Sequence, residues 1–140
     1  TRPVVWGDDL NIDSERAITR EKKSPIFIVG YPLQVKPFYV KEDPLNHGVA
    51  LSTDLLLPDG FGEVSSGGIR EDNIENIRTR LKEQGLDLNS YSWYLDLRKY
   101  GSVPHGGFGI GIERLIRWII NSNDIKECVL FPRTMSRVMP

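Results

Sequence analysis

The chain has 140 residues, enough for one domain with one hydrophobic core. Apolar residues make up 39% and charged residues 26%, an ordinary globular balance, and a formal net charge of −1 removes any bulk attraction to nucleic acid or to a membrane surface. No apolar run approaches the ~20 residues that span a bilayer, no signal peptide is visible, and a single cysteine, Cys128, excludes an internal disulfide and points to a reducing, cytoplasmic setting.

In residues 1–24, Ser14 is placed to cap a short helix that opens Glu15-Arg16-Ala17. Ile26-Phe27-Ile28-Val29, bounded by Pro25 and Gly30, reads as a strand. Phe38-Tyr39-Val40 and Asp54-Leu55-Leu56-Leu57 read as two more, separated by the turn-rich stretches Lys41–Gly48 and Pro58–Gly62. Ile74, Ile77 and Leu81 recur at spacings of three and four, so residues 71–84 are predicted to form an amphipathic surface helix that stops at Gly85. Trp93–Leu97 is compatible with either a strand or a short helix.

Gly106–Gly111 leads into a second helix from Ile112 to Asn121. There Leu115, Ile116, Trp118, Ile119 and Ile120 are apolar nearly all round, which predicts burial. Cys128–Phe131 reads as a last short strand, stopped by Pro132. Trp6, Trp93 and Trp118 are expected to be packing residues, and His47, in a polar loop, to be solvated. No repeats occur. A run of strands with irregularly interspersed helices predicts an α+β fold, with a mostly antiparallel sheet flanked by helices.

The chemistry concentrates in Gly106-Gly107-Phe108-Gly109-Ile110-Gly111-Ile112-Glu113-Arg114. Glycines at 107, 109 and 111 strip one face of a strand of side chains, because alternate residues point the same way. A flat ligand could then lie on the backbone, with Arg114 stacking on a base or pairing with phosphate. Close packing of strand on helix is the competing reading. A dinucleotide loop is excluded by its missing G-x-G-x-x-G pattern, and a phosphate-cradling loop by the missing Gly-Lys-Ser/Thr.

Asp54 and Glu63 flank the Pro58-Asp59-Gly60 turn, so a hairpin could bring the two carboxylates together as magnesium ligands beside nucleotide phosphates. Solvated turn acids are the alternative. Arg70 follows Ser65-Ser66-Gly67-Gly68, whose glycines allow close approach of a small substrate to a planar fork of donors. A surface arginine opening a helix would give the same pattern. His105 has no partners at metal-ligand spacing.

Gly107–Arg114 followed by Leu115-Ile116 resembles motif 3 of the class II aminoacyl-tRNA synthetases. Tyr94-Leu95-Asp96-Leu97-Arg98-Lys99-Tyr100-Gly101, Val103-Pro104-His105-Gly106-Gly107-Phe108 and the closing Phe131-Pro132-Arg133-Thr134 resemble its asparaginyl members. The resemblance implies the class II catalytic fold, present in part. It reads residues 1–140 as the C-terminal portion of the catalytic domain, since motifs 1 and 2 and an anticodon-binding domain are not found in the sequence.

The activity implied is ATP-dependent activation of asparagine and its transfer to tRNA by a larger enzyme, a homodimer. Specific roles are implied with it. Arg114 is the catalytic residue that binds the terminal phosphate and covers the adenine. Gly107, Gly109 and Gly111 floor the ATP pocket, and Asp54 and Glu63, helped by Ser66, carry Mg²⁺ on ATP. Arg70 grips the amino-acid side chain, with Ser66, Gly67 and His105 nearby. Gly68-Ile69-Arg70-Glu71 stands where asparaginyl members more often carry Ser-Gln-Arg-Glu. That keeps an aspartate-specific synthetase, a tRNA-independent asparagine synthetase relative and a non-catalytic synthetase-like module as alternatives.

Overall fold

The computed structural model describes residues 3–139, so residues 1, 2 and 140 of the expected domain lie outside the described residues. Four strands form one sheet in the order β1-β2-β3-β4: β1 Ile26–Val29, β2 Ser52–Leu57, β3 Gly62–Ile69 and β4 Gly106–Ile110. Four α-helices accompany them: α1 Ile12–Thr19, α2 Ile74–Glu83, α3 Ser92–Lys99 and α4 Ile112–Ile119. The sheet is antiparallel. Ala50 N–H donates to the Tyr31 carbonyl at 2.8 Å and Ile69 N–H to Leu51 at 2.9 Å. Gly111 N–H donates to Val64 at 2.8 Å while Arg70 N–H donates to His105 at 2.9 Å. The α+β expectation is met.

The chain divides into two compact units. The first takes the N-terminal residues up to Leu10, Ile28–Thr53 and Gly67–Phe108; the second takes Asn11–Phe27, Asp54–Ser66 and the residues from Gly109 on. In the first unit, Phe38, Ile77, Leu81 and Leu95 form a buried cluster, with Tyr39, Tyr91 and Tyr94 packed against it. Phe38 meets all three tyrosine rings edge-on, at centroid distances of 5.0–5.4 Å, the arrangement that ring quadrupoles favour. In the second unit Leu56, Leu57 and Val64 are buried on the β2–β3 hairpin.

Several local expectations are corrected. The cap of α1 is Asn11, whose side chain accepts from Ser14 N–H at 2.9 Å; Ser14 lies inside the first turn and is itself buried. Phe38–Val40 is not a strand. A turn from Pro37 takes up Val40 N–H, and only one bridge, Val40 to Arg70, joins it to other backbone. Helix α2 starts at Ile74 because Asn73 caps it, accepting from Glu75 N–H at 2.9 Å and Asn76 N–H at 3.3 Å.

Trp93–Leu97 proves helical, within α3. Trp6 and Trp93 are exposed rather than packed. Ile125–Cys128 forms a 3₁₀ turn capped by Asp124, and no strand follows it among the described residues. Helix α4 has no buried residue, and Ile112, Ile119 and Ile120 are more than half exposed, because the described residues supply nothing to cover those sides.

Candidate active-site elements

In the second unit, the β2–β3 hairpin turns through Asp59 and Gly60 at φ 56° and 77°, with Phe61 N–H donating to Pro58 O at 3.2 Å. Both central residues are left-handed, as a type I′ turn requires, and Asp-Gly is a favoured pair for it. The hairpin sets Ser66 across from Asp54, whose buried carboxylate accepts from the Ser66 hydroxyl at 2.5 Å.

Glu63 is fixed from two sides. Its N–H donates to the Glu15 carboxylate at 3.1 Å, which ties α1 to the start of β3. Its own carbonyl accepts from Arg114 Nη1 at 2.8 Å, and its carboxylate faces the same nitrogen at 3.4 Å. Glu15 and Ser65, whose hydroxyl donates to the Gly109 carbonyl at 2.8 Å, were not foreseen from the sequence. Neither has a residue-type signal, because both act through backbone groups of other strands.

The glycine pattern acquires distinct reasons at each position. Gly111 stands at the N-terminus of α4, where an added Cβ would lie 3.2 Å from Arg114 Cδ. Its bare Cα therefore makes room for the arginine. Gly109 has nothing within 4 Å of an added Cβ, so its backbone is open.

In the first unit, a Cβ at Gly107 would lie 2.9 Å from Arg70 Nη2. The Arg70 guanidinium thus rests on glycine backbone on one side and lies 4.6 Å from the Tyr39 ring centroid on the other, within cation–π range. The next residue, buried Glu71, donates its N–H to Tyr39 O, and its carbonyl accepts from Arg98 Nε at 3.0 Å. Its carboxylate takes the Asn73 N–H at 2.9 Å. These bonds anchor the backbone from which Arg70 projects. Tyr39 was missed as a functional neighbour because its segment reads as a strand.

Gly67 has a packing reason for its missing side chain: an added Cβ would come within 2.7 Å of Phe108 Cβ and 2.8 Å of Gly107 O. His105 gives its carbonyl to Arg70 N–H, while its exposed ring meets Val103 O through Nδ1 at 2.8 Å. His47 is exposed, as expected, with Glu42 at 3.6 Å.

The candidate residues therefore fall into two groups, Asp54–Ser66 and Glu63–Arg114 in one unit and Arg70–Gly107–His105 in the other. The pattern of tRNA synthetases class II (D, K and N) matches residues 6–135. The chain belongs to this family.

Its relatives within the class II synthetases are specific. The asparagine–tRNA ligase of Pyrococcus abyssi is 50% identical over 137 residues, which is 98% of this chain and 32% of that protein. The crystal structure of asparaginyl-tRNA synthetase from Pyrococcus horikoshii complexed with asparaginyl-adenylate matches with a TM-score of 0.94 and 49% identity, over 98% of this chain and 32% of the other. A putative aspartyl-tRNA synthetase from Leishmania major matches with a TM-score of 0.88 and 28% identity, over 99% of this chain and 28% of its own. The class II synthetase chain thus spans about a third of the length of the relatives it matches.

Proposed function

We propose that this chain is the C-terminal portion of the catalytic domain of an asparagine–tRNA ligase, which activates asparagine with ATP and passes it to tRNA. The observation that carries this reading is the match at 49% identity to a synthetase holding asparaginyl-adenylate, against 28% for the aspartyl relative. In the first step the asparagine carboxylate attacks the α-phosphorus of ATP, and pyrophosphate leaves. No covalent enzyme intermediate is needed, so positioning and charge stabilisation carry the catalysis.

Arg70 receives the side-chain carbonyl of asparagine. Stacking on Tyr39 and the anchored Glu71 hold its fork in place before substrate arrives, with Gly67 on β3 and His105 just before β4. Arg114 binds the terminal phosphate and covers the adenine, exchanging its Glu63 contacts for phosphate oxygens. The open backbone of Gly109 floors the nucleotide, while the missing side chains of Gly107 and Gly111 leave room for Arg70 and Arg114 respectively.

Asp54, Glu63 and Ser66, which offer hard oxygen donors, would hold a magnesium ion carried in on ATP. No group of three or more His, Cys, Asp or Glu that could hold a metal occurs among the described residues, so the ion would take most of its ligands from phosphates and water. Such an ion supplies charge neutralisation on the phosphates. A homodimer in the cytoplasm, as the family resemblance implies, completes the proposal, and no helix of the described residues is long and apolar enough to cross a membrane.

The test is a chimaera that carries this chain in place of the corresponding third of the Pyrococcus abyssi ligase, assayed for amino-acid-dependent ATP–pyrophosphate exchange. Exchange with asparagine and not aspartate is expected, followed by charging of tRNA. Equal exchange with aspartate would overturn the asparagine assignment. A folded chimaera with no exchange would favour a non-catalytic module. The chain alone, lacking the motif 2 arginine, is expected to bind ATP·Mg²⁺ weakly in calorimetric titration.

A further inference from the structure

Arg16 and Arg20 are four residues apart on and just beyond α1 and therefore share a helix face. Together with Arg117 of α4, Ser122, Asn123 and Asp59 of the hairpin turn, they line a cavity of 430 Å³ within the second unit. Three arginines thus border one space against a single acidic residue, Asp59. None of the three forms an ion pair among the described residues.

Arg117 is built into the wall. Its Nη2 donates to Phe61 O at 2.8 Å, the guanidinium lies 5.3 Å from the Phe61 ring centroid, and its Nε is buried with no partner. Ser122 is already committed to the Glu127 carboxylate and the Asp124 carbonyl. The cavity's available donors are therefore chiefly arginine N–H groups. An anion between the arginines would offset their mutual repulsion, and arginine forks match phosphate oxygens in pairs.

A second, smaller cavity of 190 Å³ shares Arg16, Phe61 and Arg117 with the first and is also lined by Glu15, Glu63 and Arg114. Arg16 and Arg117 thus line both spaces, with Arg20 on the first and Arg114 on the second.

We propose that the Arg16–Arg20–Arg117 cavity is a separate binding site for an oligophosphate, with inorganic pyrophosphate as its ligand. The preference for an anion rests on the arginines alone. The choice of pyrophosphate rests on the proposed synthetase activity, which releases it next to Arg114. The cavity gives the departing product a place outside the nucleotide site.

The test uses the 140-residue chain, labelled for NMR and titrated with sodium pyrophosphate at ~0.15 M salt, where surface attraction is screened. Saturable shifts at the amides of Gly60, Phe61 and Asn123 are expected, and the double variant Arg16→Gln/Arg20→Gln should weaken them by at least about tenfold. Both substituted residues are exposed, so the fold is retained, as circular dichroism would verify. A parallel titration with magnesium-free ATP separates a free pyrophosphate from a triphosphate tail, the tail being predicted to bind more weakly at these amides.

Shifts confined to Glu63 and Arg114, binding unchanged in the double variant, stronger binding of the tail, or equal binding of sulfate would each overturn the proposal. Exchange by the chimaera without pyrophosphate binding here would sink this inference alone. Pyrophosphate binding with an inactive chimaera would leave this site standing and remove the activity assignment.

Discussion

Arg80 reaches from α2 to the carbonyl oxygens of Leu33, Lys36 and Val40, at 2.9, 2.8 and 3.0 Å. Burial holds its pKa below the ordinary arginine value, yet three acceptors keep the charged form worthwhile in a largely buried place. The same carbonyls shape the segment that sets Tyr39 beneath Arg70. Arg80→Met should leave Val40 O without a donor, while Leu33 O keeps the Lys36 N–H and Lys36 O keeps Gln84 Nε2, and should cost about 2 kcal/mol of unfolding free energy, measured by urea denaturation. A loss under ~0.5 kcal/mol would show that water replaces the guanidinium.

The glycines separate packing from ligand binding at the same scale. Gly109→Ala meets no atom within 4 Å, so it should stabilise the isolated chain slightly, by up to ~1 kcal/mol. In the chimaera it should nevertheless raise the KM for ATP, because the added methyl would stand on the proposed nucleotide floor. An unchanged KM would make the bare stripe a packing device.

At the scale of elements, α2 depends on Asn73, whose side chain takes two of the N–H groups that a helix start leaves unpaired. Asn73→Ala should cost about 1 kcal/mol, whereas Asn73→Asp should be nearly neutral; equal losses in thermal melts would rule out the cap as the cause. Elements whose signals are local were legible in the sequence: β1 from its β-branched run, the hairpin from Asp59-Gly60, α2 from Ile74, Ile77 and Leu81.

What escaped depended on distant partners. Phe38-Tyr39-Val40 has strand composition, but Arg80 and Pro37 hold it in a turn. Cys128–Phe131 looks apolar enough for a strand and finds no neighbour to pair with. The all-round apolar surface of α4 predicted burial, and no residue of the helix is buried among the described residues. In the candidate site, the residue types were readable, while the Tyr39 stack and the Glu15 and Ser65 backbone bonds were not, since none lies near its partner in sequence.

Across the whole molecule, charge and uncovered apolar surface set the expected behaviour. Lys41 and Asp72 pair at 2.7 Å, each side chain about a third exposed. The hydrogen bond from Lys41 holds the Asp72 carboxyl below its usual 3.8, and the same bond raises Lys41 above 10.5. The pair's contribution, under ~1 kcal/mol after solvent screening, should be complete between those two values. It should fade as pH falls below 3.8 through the folded Asp72 pKa, and again as pH rises past 10.5. Melts of Asp72→Asn against the parent chain at neutral pH and near pH 3 check this; a difference that persists undiminished in acid would contradict the assignment.

Exposed Ile112, Ile119 and Ile120 on α4, with Leu130 and Phe131 beyond it, predict concentration-dependent association of the isolated chain. Sedimentation velocity should show it, and Ile119→Glu should suppress it. A chain that stays monomeric at high concentration would deny that this surface is sticky.

The central claim is that Arg70, not merely the fold around it, selects asparagine. In the chimaera, Arg70→Ala should lower asparagine-dependent pyrophosphate exchange by at least about a hundredfold, the loss expected when a buried polar ligand group faces no charged partner. Exchange retained at parental rate, with asparagine still preferred over aspartate, would contradict it.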